Sequence, residues 1–369
     1  RVALPALAMI LGLLSLAFLV GVAARSTAPS IKIKGFSFTG DRYCWNVTEG
    51  SEAGLRSLDS AFSFGANAVS AIVTWHQQNI NTTDIFRGRT ETDDSIIAVI
   101  NEAHRRGASV LLKPHVDLLD TGVGGGDWRG DIGRHFSATQ WDAWFASYRP
   151  FIMHYASMAQ EHGVAMLAVS TELIAASPQD AHWRAIIADI RSVFKGTLTD
   201  AANWGGEEVN KTWWDAVDVI GVDAYYPLWD HSGPNPPLDP VPSVDQLAAA
   251  WQPVVPVLQG LATQWNRSVM FTEIGFCSGT TRQGCGLPAT DASRQLQANA
   301  FEATLRVWTA VPVWIGVHWW NIVSDPSFTG TTNGCMDPRG KPAESVLRHW
   351  YGAPPRPCAD TTSCPVVGE

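Results

Sequence analysis

AMLAVSTEL, residues 165–173, is a run of small and apolar residues that ends on a carboxylate, Glu172. Its length and character are those of a buried strand. The same pattern recurs along the chain. Strands are expected over 31–38, 66–73, 108–115, 164–172, 196–203, 218–225, 268–275 and 313–320. Helical periodicity fills 93–107, 138–163, 180–194, 243–265, 291–308 and 341–352. Gly107 is a good stop for the first of these, and Pro150 is expected to interrupt the second. Strands alternating with helices predict an α/β fold with a parallel sheet wrapped by helices. Eight such units over about 320 residues predict a (β/α)8 TIM barrel. A single domain over residues 30–352 is expected. A doubly wound open sheet is the alternative. It calls for a glycine-rich phosphate turn after the first strand, and GFSFTGD, residues 35–41, lacks that pattern.

The bulk numbers allow one large or two ordinary domains. The chain has 369 residues, 46% of them hydrophobic, enough to bury a full core. Net charge is −9 and no basic block is present, which argues against a nucleic-acid partner. Tryptophan is frequent, at 17 residues, more than core packing alone calls for. Residues 2–24 carry no charge and end Val22-Ala23-Ala24, as in a signal peptide, with a signal anchor or membrane tether as the alternative. Either sends the rest of the chain along the secretory route, so a secreted or extracellular location is expected.

Six cysteines permit three disulfide bonds, with Cys277–Cys285 and Cys358–Cys364 the obvious local pairs. Sequons stand at Asn46, Asn81, Asn210 and Asn266. Residues 353–369 form a tail rich in proline and cysteine. No CxxC or HExxH is present, so neither a structural zinc nor a zincin site is expected, and no cofactor is called for.

A barrel places its active site at the C-terminal ends of its strands. The third expected strand ends Lys113-Pro114-His115, the fourth on Glu172 and the fifth on Asn203. The sixth carries Asp223 and Tyr225, the seventh Glu273, and the eighth His318-Trp319-Trp320-Asn321. Residues two apart share a strand face, so Lys113 pairs with His115 and Asp223 with Tyr225. By the same alternation Ala168, Ser170 and Glu172 face inward. Glu172 and Glu273, across one barrel mouth, form the carboxylate pair that glycoside hydrolysis requires. One protonates the leaving oxygen, and the other attacks the anomeric carbon or activates water. Trp75, Trp128, Trp319 and Trp320 are candidate surfaces for stacking on sugar rings, and Asn203 a candidate amide ligand.

LLKPHVDL (111–118), WRGDI (128–132), VSTEL (169–173), VIGVDAYYPL (219–228), FTEIGF (271–276) and GVHWWN (316–321) together resemble glycoside hydrolase family 113. That family lies among the retaining glycosidases of clan A, and its members are chiefly β-1,4-mannanases. The resemblance implies Glu172 as general acid/base and Glu273 as nucleophile. It implies Lys113 and His115 at the cleavage subsite, Tyr225 on the nucleophile, and a strand-eight tryptophan as subsite floor. There is one departure. Thr171 stands where the clan usually has the asparagine that contacts the sugar 2-hydroxyl.

Each residue also has a plainer reading. The glutamates could be structural ion pairs with Lys113 or an arginine, and His115 a satisfied core histidine. The tryptophans could be core; Trp319 and Trp320 point to opposite faces, so at least one is. A metal held by His115 and Asp117 is set aside, because alternation puts only His115 with Lys113 on the inner face. GVGGGD, residues 122–127, reads as a flexible barrel-top loop, not a phosphate cradle. The expected function is therefore retaining hydrolysis of β-1,4-mannan or manno-oligosaccharides, a polysaccharide or oligosaccharide being the partner. A same-clan hydrolase of another β-linked glucan or galactan, and a glycan-binding barrel without catalysis, are the alternatives.

Overall fold

The computed structural model describes residues 31–40, 47–229, 240–279, 288–327 and 335–355. Residues 2–24, Asn46, Cys44, Cys285, Cys358 and Cys364 lie outside them, and with them the expected leader and one or both members of each expected local disulfide. The sheet contains β1 (Ile33–Thr39), β2 (Ala68–Gln77), β3 (Ile85–Phe86), β4 (Ser109–Leu118) and β5 (Met166–Thr171). It continues with β6 (Thr197–Asn203), β7 (Val219–Asp223), β8 (Ser268–Ile274) and β9 (Trp314–Val323). All neighbours run parallel except β3, a two-residue strand antiparallel to the end of β2. β1 pairs with both β2 and β9, so the eight parallel strands close into a ring. This is the expected (β/α)8 barrel, and β5 and β8 are its fourth and seventh strands.

The helices are α1 (Glu52–Ser63), α2 (Asp93–Arg105), α3 (Ala138–Glu161), α4 (Asp180–Val193) and the one-turn α5 (Glu207–Asn210). After these come α6 (Val244–Trp251), α7 (Val254–Trp265), α8 (Asp291–Trp308) and α9 (Pro342–Tyr351). Besides α5, which was not expected, three differ from expectation. α1 was not anticipated, although Ser51 caps it by accepting from Gly54 N and buried Leu58 and Ala61 face the barrel. α3 runs unbroken through Pro150. Pro150 is exposed, while Trp144, Tyr148, Phe151 and Tyr155 are buried on both sides of it, so packing outweighs the one lost backbone bond. The expected helix 243–265 is two, because Pro253 has no N–H to continue α6 and instead begins α7.

The barrel interior is layered. Leu111, Ala168, Val219 and Met270, near the N-terminal ends of their strands, form a small apolar plug. Further along the same strands the inward residues are polar. Lys113, His115, Asp223 and Glu273 are all buried there. The large apolar residues of the opposite strand faces, such as Leu167, Val222, Phe271 and Trp319, pack outward against the helices.

Two strands lose strict alternation just before the mouth. On β5, Ala168 pairs with Thr199 but Thr171 with Ala201, so Val169 and Ser170 together oppose Asp200. The slip turns Ser170 outward, contrary to expectation. Its buried hydroxyl meets the Asp200 carboxylate, which pairs with Lys211 Nζ at 2.6 Å. On β8, Val222 pairs with Phe271 but Asp223 with Glu273. The extra residue lets Glu273 join Met270 on the inner side, although strict alternation would place it with outward Phe271.

Candidate active site

Lys113 is fully buried at the centre of the mouth. Its Nζ donates to Asp223 Oδ1 and Oδ2, both at 2.9 Å, and to Glu273 Oε1 at 2.6 Å. Burial opposes its charge, but the two carboxylates outweigh that and hold its pKa above the ordinary lysine value. Thr272 Oγ1 donates to Asp223 Oδ1 at 2.6 Å, which fixes the Asp223 carboxylate behind the lysine. Tyr225 OH donates to Glu273 Oε2 at 2.9 Å. Burial, reinforced by Glu273, pushes the Tyr225 hydroxyl far up, so it stays protonated. Both oxygens of Glu273 are thus held by donors. His115 Nε2 lies 3.7 Å from Glu273 Oε1, and the imidazole stacks on Trp320 with centroids 6.4 Å apart. Burial, then the charges of Arg129 and Lys113, lower the His115 pKa well below its usual range and keep the ring neutral.

Glu172 sits in a different setting. It follows the bulge on β5 and has φ 52°, the left-handed region, which costs a non-glycine residue about 1 kcal/mol. Its N–H is still tied to the sheet, donating to Ala201 O at 2.8 Å. The side chain accepts from Arg129 Nη1 at 3.2 Å. Burial drives its pKa up to about 7; Arg129 opposes that rise and Glu273 adds to it. Each glutamate is therefore near enough to feel the other's charge. Glu172, Arg129 and Trp128 line a cleft of about 730 Å³ that runs over the ends of β1 and β2 to Thr39, His76 and Glu91.

The structure gathers Glu172, Glu273, Lys113, His115, Tyr225 and Trp320 at one mouth, and puts Trp128 on the cleft wall, 37% exposed. Two tryptophans do not belong with them. Trp75 alternates with inward Thr74 and turns outward, where Nε1 donates to Tyr155 OH and the ring packs on Phe151. Trp319 is fully buried against Phe301, centroids 4.2 Å apart, and donates to Tyr351 OH. The alternation that makes Trp319 core turns Trp320 to the barrel mouth, against His115. Asn203 ends β6, but its side-chain amide donates to Trp204 O at 3.1 Å. The Thr171 hydroxyl donates to Pro114 O at 3.3 Å and is buried in the wall between β4 and β5.

Two participants escaped the sequence reading. Asp117, two residues beyond His115, shares the inner face of β4 with it and Lys113, as alternation itself requires; ending that face at His115 was the error. It accepts from Arg129 Nε at 2.8 Å and Nη2 at 2.6 Å, and so is committed to that guanidinium. Arg129 lies on a short 3-10 turn, Arg129–Asp131, within the quoted WRGDI segment. Its place in a loop hid that it reaches a strand-end carboxylate. GVGGGD lies on the cleft rim, with Gly125 and Asp127 among the lining residues.

A closed parallel barrel with buried Glu273 and largely buried Glu172 at its C-terminal mouth, beside a cleft, defines a glycoside hydrolase acting on a polysaccharide or oligosaccharide. Residues 35–328 match the model of Glycoside Hydrolase Family 113, and the chain belongs to that family. Among solved structures it is similar to the β-mannanase AaManA of Alicyclobacillus acidocaldarius, also of family 113, with 28% identity and a TM-score of 0.72. That match covers 87% of this chain and 97% of the other. A second family 113 β-1,4-mannanase is 25% identical with TM-score 0.70, over 87% of this chain and 99% of the other. A family 2 β-galacturonidase from Eisenbergiella tayi, 15% identical with TM-score 0.53 over 87% of this chain and 51% of the other, shares the fold alone. No curated protein matches the sequence.

Proposed function

We propose that this enzyme is a retaining β-mannanase that cleaves β-1,4-mannan or manno-oligosaccharides by double displacement. The observation that carries the reading is the unequal setting of the two glutamates. Glu273 has one oxygen on the Lys113 ammonium and the other on the Tyr225 hydroxyl, the setting of an ionised, aimed nucleophile. Glu172 is pushed up to about 7, so it holds a proton near neutral pH, as a general acid must.

In the first step a Glu273 oxygen bonds to the anomeric carbon. The glycosidic bond breaks, and its oxygen leaves with the Glu172 proton. In the second step ionised Glu172 takes a proton from water, the water oxygen bonds to the anomeric carbon, and the bond to Glu273 breaks. The sugar leaves with its original anomeric configuration. Lys113 neutralises charge beside Glu273, neutral His115 presents an unpartnered Nε2 at the same oxygen, and Trp320 offers a ring to the sugar face.

Mannan is favoured because the solved family 113 relatives are β-mannanases. With the Thr171 hydroxyl engaged by Pro114 O, 2-hydroxyl recognition falls to other groups, and a glucan or galactan stays in the substrate panel. Passage through the secretory route fits the apolar residues 2–24 and the exposed sequon asparagines Asn81, Asn210 and Asn266. The test is reducing-end release from mannan, glucan and galactan by wild type, Glu172→Gln and Glu273→Ala, with the product anomer read by NMR. Release from mannan with retention, lost in Glu273→Ala, is expected. An inverted product would overturn the mechanism, and binding without release would leave a glycan-binding barrel.

A further inference from the structure

The proton on Glu172 must be held firmly in the first step and given up readily, and the assignment of that residue as acid/base rests on the function proposed above. We propose that the Arg129–Asp117 pair positions Glu172 and apportions the positive charge it feels, with Asp117 limiting how much of the guanidinium the acid/base can claim.

The geometry is that of a shared fork. Asp117 Oδ1 takes Nε and Nη2, one edge of the guanidinium, at 2.8 and 2.6 Å. Only Nη1, on the other edge, reaches Glu172 Oε2, at the longer distance of 3.2 Å. The shorter, double contact commits the cation to Asp117. Glu172 receives the remainder, a contact that an ionised carboxylate strengthens and a protonated one does not need.

Backbone ties hold the partners in register. Ala175 N donates to Gly130 O at 3.0 Å, so the turn carrying Arg129 is fastened to the segment that follows Glu172. Trp128 N donates to Asp131 Oδ2 at 3.3 Å and closes the turn. Arg129 is largely buried, with 14% of its side chain exposed, so solvent screens the pair little.

The other groups facing Glu172 are accounted for. Glu273 on β8 and Glu207 on α5 raise its proton affinity, and Lys113 on β4 lowers it. His115 on β4 is neutral, and Asp223 on β7 is spent on Lys113. Arg129 makes the one ion pair found with Glu172 among the described residues.

Two substitutions should therefore act in opposite senses. Asp117→Asn releases the guanidinium to Glu172 and favours its ionised form. The alkaline limb of kcat/KM should move to lower pH by about 1 unit, the low end of the effect of an opposite charge a few ångströms away. Arg129→Gln removes the cation and strands Asp117, so the limb should move to higher pH by about 1 unit or more. General loosening of the site would not produce opposite shifts.

The experiment is the pH profile of mannan hydrolysis for wild type and both variants. Alongside it, the Glu172 carboxyl titration is read by difference infrared spectroscopy, each protein against its own Glu172→Gln counterpart. The infrared arm needs no turnover, so a wild type inactive on mannan would sink the function reading and leave this inference decided by spectroscopy. If Arg129→Gln does not fold, Arg129→Lys replaces it. That variant keeps the charge but loses the fork, so kcat should fall at least about tenfold while the limb stays within about 0.5 unit of wild type. Opposite shifts, or that pattern in Arg129→Lys, are the expected result. Coincident titrations, or shifts of the same sign in Asp117→Asn and Arg129→Gln, would overturn the proposal.

Discussion

Replacing Glu172 by glutamine should make the protein more stable while disabling it, and the gain should depend on pH. A carboxyl carried from its ordinary 4.5 to about 7 by burial is a group whose charged form the fold disfavours. Between those values the folded state holds the proton and the unfolded state has released it. Stability therefore falls as pH rises through that window, by about 1.4 kcal/mol per pH unit, or about 3 kcal/mol in all. The side chain is 12% exposed, so screening removes little of this. Glutamine keeps the shape and never ionises, and Arg129 retains Asp117 as its partner. Relative to wild type, Glu172→Gln should gain little at pH 4 and about 3 kcal/mol at pH 8.

Urea unfolding of both proteins at those two pH values measures the difference directly. Hydrolysis of mannan should fall by about 10²–10⁴, the usual worth of a positioned general acid. Aryl mannosides whose leaving groups need no proton should lose far less in the bond-breaking step. A stability difference that is the same at pH 4 and pH 8 would refute the reasoning, because it would mean that the Glu172 carboxyl is not displaced upward.

Lys113→Met should cost about 3–5 kcal/mol of stability, since it leaves buried Asp223 and Glu273 without their cation; thermal melts measure this, and a loss below 1 kcal/mol would count against a charged Lys113. Tyr225→Phe removes one charge-assisted bond to buried Glu273 Oε2 and should lower kcat/KM about tenfold or more, with a stability loss of about 1–3 kcal/mol, smaller than that of Lys113→Met. Trp319→Ala should destabilise by about 3–5 kcal/mol through its packing on Phe301, whereas Trp320→Ala should raise KM with a smaller change in stability. Steady-state kinetics and unfolding on both tryptophan variants separate the two roles, and the reverse pattern would reassign them.

Much of this was legible in the sequence, because strand burial and helical periodicity are local. Apolar runs such as 164–172 and 268–275 marked the barrel strands, and their charged ends, Glu172 and Glu273, marked the mouth. Alternation placed Lys113 and His115 together correctly, since β4 pairs with β2 without a slip. What the sequence could not supply is everything that depends on register or on distant loops. The bulges on β5 and β8 each insert one residue, turning Ser170 out and Glu273 in, and a bulge is visible only against the partner strand. Trp75 and Trp319 read as sugar platforms until the helices that cover them were in place. Arg129 and Asp117 lie 12 residues apart and meet Glu172 only through folding, 43 residues beyond Arg129. The sequence by itself thus determined the fold class, the family and the two carboxylates, because these rest on local burial patterns and short motifs. Tertiary structure alone decided which side chains line the barrel mouth and which cation lies beside Glu172, because those depend on strand register and on charges brought together across that mouth.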